Sequence, residues 1–296
     1  MDQLLKTIAK NRNIRAYAAV TTDLVNLSAQ LHRTSPVATA ALGRTLSAAS
    51  MMGAMLKNEG ESVSLQLKGD GPLGSVFAIG DSKARVRGYV NHPLVDLPLK
   101  NGKLDVGGAI GQDGTLCVVR DLQMGQPYVG QVPLATGEVG DDLTLYFARS
   151  EQLPSAVGLG VLVDVDYSVK AAGGFIISLM PGADEDTISL VERGLSSITS
   201  VTDLIVQGKG CEDILSMLLP GVVLEEMEIM TPSYHCGCSL EKMERGMISL
   251  GVEELEDIIQ EQGEADLVCH FCNKHYHISR ERLEELKSFA KSGKTK

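Results

Sequence analysis

The chain has 296 residues, of which 44% are hydrophobic, 22% charged and 4% aromatic, with no Trp. That is room for two or three globular domains whose cores must be aliphatic and Met-filled. The net charge of −11 is spread unevenly: residues 1–180 hold 16 acidic and 16 basic groups, residues 181–230 hold 10 and 2, and residues 231–296 hold 12 and 9. The middle segment thus carries −8 of the total. Without clustered Lys and Arg, nucleic acid is excluded as the main partner. The first residues, Met1-Asp2-Gln3-Leu4-Leu5-Lys6, lack the apolar stretch of a secretory signal, and no run approaches a membrane span. The expected location is the cytoplasm, where thiols stay reduced and paired cysteines point to metal binding or redox chemistry.

In chain order, residues 14–20 read as a strand, and Thr21 or Thr22 as the cap of a helix to about His32. Ser35-Pro36 supplies an N-cap and first-turn proline for a second helix, rich in Ala, Leu and Met, through Met51, Met52 and Met55. Short strands follow at 62–68, 75–79, 84–90, 115–121, 142–148, 161–169 and 174–180, separated by Gly-rich turns. Helices beside mainly antiparallel strands predict an α+β domain over residues 1–180. Pro181-Gly182 ends it. Residues 181–230 form an acidic helical linker with Ile188, Leu190, Val191, Leu195, Ile198, Leu204, Ile205, Ile214, Leu215 and Leu218 as its apolar positions. Gly194, Gly208 and Gly210 break it into short helices, marginal alone and subject to like-charge repulsion. Residues 222–230 read as a strand. The last segment, 231–296, holds one or two acidic helices over 241–262 and a final helix capped by Ser279.

Chemistry concentrates in that last segment. Cys236-Gly-Cys238 is followed, after thirty residues, by Cys269-His-Phe-Cys272. Two close thiol pairs far apart in sequence suit a tetrahedral ion, and four thiolates select zinc. His235, His270, His275 and His277 crowd the same region, so a Cys3His set stays open, although four cysteines already complete the shell. Structural zinc contributes about 10–16 kcal/mol of apparent binding free energy, far more than a domain this small draws from its own core. Metal removal is therefore expected to unfold it, and thiolate oxidation to do the same by releasing the ion.

Other motifs carry less. Gly69-Asp70-Gly71-Pro72-Leu73-Gly74 matches a dinucleotide-binding fingerprint, but a strand pattern follows where a helix is required, so it reads as a hairpin turn. Cys117 reads as a buried small hydrophobe in a strand. Cys211 begins a helix, a position that lowers a thiol pKa, but a packed thiol is the favoured reading. Asp141-Asp142 and Asp184-Glu185-Asp186 read as turn and cap residues.

The chain resembles the 33 kDa chaperonin family of redox-regulated holdases along its whole length. The resemblance rests on Arg15-Ala16-Tyr17, Ala41-Leu42-Gly43-Arg44-Thr45, the Gly69–Gly74 turn, Gly173-Gly174-Phe175, Leu179-Met180-Pro181-Gly182, His235-Cys236-x-Cys238 and Cys269-His270-Phe271-Cys272. It implies a stress-response chaperone that needs no ATP and has no catalytic residues. It also implies one Zn2+ per reduced, inactive chain, bound by Cys236, Cys238, Cys269 and Cys272. Oxidation is then expected to form the disulfides Cys236–Cys238 and Cys269–Cys272, to release zinc, and to unfold the C-terminal domain and destabilise the linker. The activated form would bind unfolded clients and dimerise. Cys117 and Cys211 are additions to that pattern. The rival readings are an adaptor with purely structural zinc, a thiol oxidoreductase using Cys269-x-x-Cys272, and a nucleotide-binding enzyme using the glycine turn.

Overall fold

Residues 36–53 carry one charged side chain, Arg44, among Ala, Ser, Thr, Gly, Leu and Met. A helix of that composition has no face for water and must be covered on all sides. In the computed structural model of the chain, which describes residues 1–292, this helix is the buried axis of the N-terminal part, and nearly all of its residues are buried.

The chain opens with a hairpin, β1 (Gln3–Ala9) and β2 (Ile14–Val20), followed by α1 (Thr22–His32) and the axial helix α2 (Pro36–Gly53). Three strands follow: β3 (Ser62–Lys68), β4 (Ser75–Asp81) and β5 (Arg85–Val90). Short α3 (Val106–Ile110) leads to β6 (Thr115–Asp121), β7 (Tyr128–Pro133), α4 (Val139–Arg149), β8 (Ser155–Val163) and β9 (Val169–Leu179). Helices α5 (Glu185–Ser197), α6 (Val201–Val206) and α7 (Cys211–Leu218) precede β10 (Glu225–Met230) and β11 (Ser233–Tyr234). The chain ends with α8 (Leu240–Leu250), α9 (Val252–Glu261), β12 (Ala265–Val268), β13 (His275–Ile278) and α10 (Arg280–Ser292). By internal contacts it divides into two units, Met1–His235 and Cys236–Lys296.

The first unit holds two sheets, ordered β10-β1-β2-β9-β8 and β11-β5-β4-β3-β6-β7. All neighbours are antiparallel except β11, which runs parallel to β5. Helix α2 packs on β3, β4 and β5 of one sheet and on β2, β8 and β9 of the other. The fit is close enough that a Cβ on Gly80 of β4 would collide with the Ala49 carbonyl of α2. Ser35 caps α2 by accepting from Ala38 N at 3.3 Å. Alternation along β2 divides its side chains between two cores. Tyr17 and Ala19 join the cluster around α2, whereas Ile14, Ala16 and Ala18 face a second layer.

That second layer is α5, α6 and α7. Val191, Val201, Ile214, Leu215 and Leu218 cover Leu5, Ile14, Phe175 and Ile177 of the first sheet. The acidic residues of this stretch lie mostly at helix N-termini, where the backbone dipole favours them. Asp184 accepts from Thr187 N at 2.8 Å, and Asp213 accepts from Gly210 N at 3.0 Å. Glu226 and Glu228 of β10 pair with Lys10 and Lys6 of the hairpin beside it.

The α+β class holds, with four local corrections. Residues 142–148 lie in helix α4, not a strand: Val139, Leu143, Tyr146 and Phe147 form a buried stripe at helical spacing that the local alternation disguised. Residues 161–169 span the β8–β9 turn. The run lacks Gly and Pro, but Asp166 accepts from both the amide and the hydroxyl of Ser168 to close it. Helix α1 is capped by neither Thr21 nor Thr22. Asp2 reaches across to accept from Asp23 N and Leu24 N at 2.9 and 2.7 Å, while Thr21 Oγ1 bonds Ser47 Oγ. Cys117 is half-buried, because Leu116 and Val118 take the inward positions of β6. The Gly69–Gly74 turn joins antiparallel β3 and β4. No helix among the described residues is long and apolar enough to cross a membrane.

Gly194 lies where α5 meets α7, and a Cβ there would collide with the Leu218 carbonyl oxygen. Gly194→Ala is therefore expected to destabilise the helical layer by about 1–3 kcal/mol. Amide exchange in α5 and α7 should quicken while α2 stays protected. Gly246→Ala, on an exposed turn of α8 with nothing within 4 Å, is the control and should be neutral or mildly stabilising.

Candidate metal centre

The second unit has a small core. Leu255, Ile259, Ile278, Leu283 and Leu286 are buried, with Met247 and Ala265 at 5% and 6% exposure. Around it lie charged pairs: Arg282 with Glu244 at 2.7 Å, and Lys287 with Glu256 at 2.7 Å. One partner of each pair is largely covered, and Arg282 holds both oxygens of Glu244, so the two pairs tie α10 to α8 and α9. The cysteines occupy two short non-helical segments. Cys236 and Cys238 lie just before α8, whose N-cap Ser239 accepts from Lys242 N at 3.3 Å. Cys269–Cys272 forms the turn of the β12–β13 hairpin. There Cys269 N donates to Lys274 O at 3.0 Å and Asn273 N donates to Cys269 O at 2.8 Å, with Asn273 in the left-handed region.

All four sulfurs lie within 4.8 Å of one another. Cys236 Sγ is 3.7 Å from Cys269 Sγ, and Cys238 Sγ is 3.4 Å from Cys272 Sγ. Metal–sulfur arms of about 2.3 Å in a tetrahedron give sulfur–sulfur edges of about 3.8 Å. A disulfide needs about 2.05 Å, and all six cysteines are free thiols. The donor set and its spacing therefore fit a tetrahedral cation held by Cys236, Cys238, Cys269 and Cys272.

Tyr276 completes the site. Its hydroxyl donates to Cys238 Sγ at 3.0 Å, and the Lys274 ammonium stands 5.2 Å from the centre of its ring. Burial pushes the Cys236 thiol up to about 12 and also raises Cys272. Burial acts upward on Cys238 too, but hydrogen bonds from the Tyr276 hydroxyl and the neighbouring thiols outweigh it and bring this group down to about 7. The hydrogen bond to Cys238 in turn raises Tyr276. The Tyr276 hydroxyl thus favours the thiolate at Cys238, whereas burial favours the neutral thiol at Cys236 and Cys272. Tyr276 was missed in the sequence, although the alternation of His275-Tyr276-His277-Ile278 behind the cysteine turn places it inward with Ile278.

No histidine joins the sulfur group among the described residues. His277 lies between Asp266 and Glu264, at 3.0 and 3.8 Å, and His270 and His275 are exposed. His235 belongs to the first unit, where it borders a cavity of about 260 Å3 with Glu61, Asp81 and Arg85. Cys211 is fully buried at the start of α7, where it donates to Gln3 O at 3.2 Å, and burial pushes its thiol up to about 11.

A profile of the Hsp33 protein family matches residues 2–279. The 33 kDa chaperonin of Clostridium tetani is 48% identical over 286 residues, covering 96% of this chain and 97% of that protein. That of Geobacillus kaustophilus is 48% identical over 291 residues, covering 98% and 99%. The crystal structure of the 33 kDa chaperonin from Thermotoga maritima superposes with a TM-score of 0.91 at 37% identity, covering 98% of this chain and 99% of that one.

Replacing Tyr276 by Phe removes the hydrogen bond to Cys238 and keeps the ring. Loss of such an outer partner is expected to weaken zinc binding about tenfold. Competition with a chromogenic chelator measures it, and unchanged affinity would show that the hydroxyl does not support the sulfur.

Proposed function

The chain belongs to the Hsp33 family of chaperones, and we propose that it is an oxidation-activated holdase that works without ATP. The observation that carries the reading is the group of four free thiols at tetrahedral spacing in a unit whose own core is small. In the reduced chain Cys236, Cys238, Cys269 and Cys272 hold one Zn2+. When bound, the ion ties the segment before α8 to the β12–β13 turn and supplies folding energy that the core lacks.

An oxidant of the peroxide class converts Cys236 and Cys238 to one disulfide, and Cys269 and Cys272 to the other. Each disulfide forms by loss of two electrons from a thiol pair, and one peroxide is reduced to two waters. The sulfur donors are then gone, the two segments are no longer tied, and the second unit unfolds. Residues 181–230 act as the linker that loosens next. Its three helices are too short to be stable apart from the apolar contacts that hold them on the first sheet. The Ile and Leu side chains of that layer become available to unfolded clients. The activated chain dimerises and operates in the cytoplasm. No catalytic group is part of this scheme.

Two readouts on one peroxide-treated sample test it: zinc captured by a chromogenic chelator, and light scattering by a thermally aggregating client without ATP. Zinc release together with suppressed scattering, both reversed by dithiol plus zinc, is the expected result. Zinc retained, or lost with no gain in suppression, would make the metal purely structural. Oxidation confined to Cys269 and Cys272 should suffice to free the ion, since two sulfurs hold it weakly. A Cys236→Ser/Cys238→Ser chain that still bound zinc tightly would refute the four-sulfur site.

A further inference from the structure

A sheet edge presents backbone donors and acceptors to any extended chain that reaches it. In the second sheet the β5 edge is taken by residues 233–235 of the same chain. Ser233 N donates to Ala84 O at 3.3 Å and His235 N to Val86 O at 2.8 Å. The pairing is parallel and covers two positions, Arg85 and Val86. β5 runs on to Val90, and the next outward-facing backbone groups belong to Gly88. A side chain satisfies them. Tyr234 Oη accepts from Gly88 N at 3.3 Å and donates to Gly88 O at 2.9 Å. The phenol thus takes the place that the backbone of a longer strand would fill. His32, at the end of α1, steadies it: Nε2 lies 3.1 Å from the same oxygen. With the hydroxyl proton directed at Gly88 O, the imidazole is the donor.

We propose that the β5 edge is the docking site for an extended segment of an unfolded client chain, and that residues 233–235 are its resident stand-in. The proposal rests on the holdase reading and adds to the apolar side chains of residues 181–230 a backbone site for the client. The edge already accepts an added strand, so its geometry is made for one. The resident is short and ends one residue before Cys236. Its C-terminal end is therefore tethered through the first sulfur donor, and conversion of Cys236 to a disulfide removes that tether.

The chemistry of the incoming segment follows from the seat. Tyr234 packs against the main core, and the inward residues of β5 beside it are Val86 and Val90. An aromatic or large apolar residue at the Tyr234 position, inside a stretch of uncommitted extended backbone, fits that seat. Folded proteins have few such stretches to offer, so the edge selects for the unfolded state and not for a sequence. Backbone hydrogen bonds given up by the resident are remade with the client, so the exchange needs no nucleotide.

Residue-resolved amide exchange on the full chain tests this, with a carboxymethylated, permanently unfolded protein as the client probe. The Gly88 amide should be protected in the reduced, zinc-loaded chain, lose protection after peroxide, and regain it when the probe is added. In reduced Tyr234→Phe, Gly88 should exchange about tenfold faster, the effect of losing one hydrogen bond, with β3 and β4 unchanged and zinc still bound. That variant should also bind the probe more tightly than the reduced parent chain. Suppressed scattering and probe binding by the activated chain, with Gly88 left unprotected, would overturn the docking site and leave the holdase reading intact. No suppression at all would sink both. A reduced Tyr234→Phe chain that matches its parent in Gly88 exchange and probe affinity would overturn the role of the phenol.

Discussion

Four sulfurs within 4.8 Å of one another cannot all be ionised without a cation among them. Cys236 and Cys272 are pushed toward the neutral thiol and Cys238 toward the thiolate, so left to itself the group favours charge on one sulfur before the others. A divalent ion reverses that balance and draws in every donor. With zinc as proposed, the gain, about 10–16 kcal/mol for a structural site, would be folding energy for a unit whose own core is small. Oxidation acts on the same electrons that bind the ion. Under the proposed function, a group whose chemistry is also the unit's main source of stability is suited to a switch.

The first unit shows the opposite economy. Helix α2 is enclosed on both sides, and its contacts with β4 allow no added carbon at Gly80. Helix α2 cannot move without loss of that core. The layer of α5, α6 and α7 is built differently. Its acidic groups serve as caps and first-turn charges, and its apolar anchors are spaced along three short helices. One closely fitted point, Gly194 against Leu218, locks two of those helices together. The same sheet therefore has one face fixed by an all-round core and another covered by a layer held at separate points.

What the sequence disclosed follows the range of the forces involved. The cysteine motifs were legible because ligand spacing is a local property, and the Ser35 and Ser279 caps for the same reason. Strands such as 62–68 and 115–121 declared themselves by alternation. Residues 142–148 did not, because Leu143, Leu145 and Phe147 alternate while Val139, Leu143, Tyr146 and Phe147 fall at helical spacing, and only the packing of the run decides. The negative charge of residues 181–230 read as repulsion, since the helix ends that absorb it are visible only once the helices are in place. Asp2 capping α1, Tyr276 on Cys238 and Tyr234 on Gly88 all join residues distant in the chain. No periodicity in a single sequence announces such contacts.

Chain continuity links the sulfur chemistry to the first unit. His235 N is bonded to Val86 O, and the next residue is a sulfur donor. Under the proposed docking, release of Cys236 would reach β11 through the chain alone. A two-residue strand held by two amides and one phenol is a weak element, and under the proposed docking that weakness is functional. A longer β11 would keep the edge closed after oxidation, and none at all would leave β5 open in the reduced chain. The observed length lies between those limits, and a tyrosine hydroxyl supplies what the missing backbone would have given.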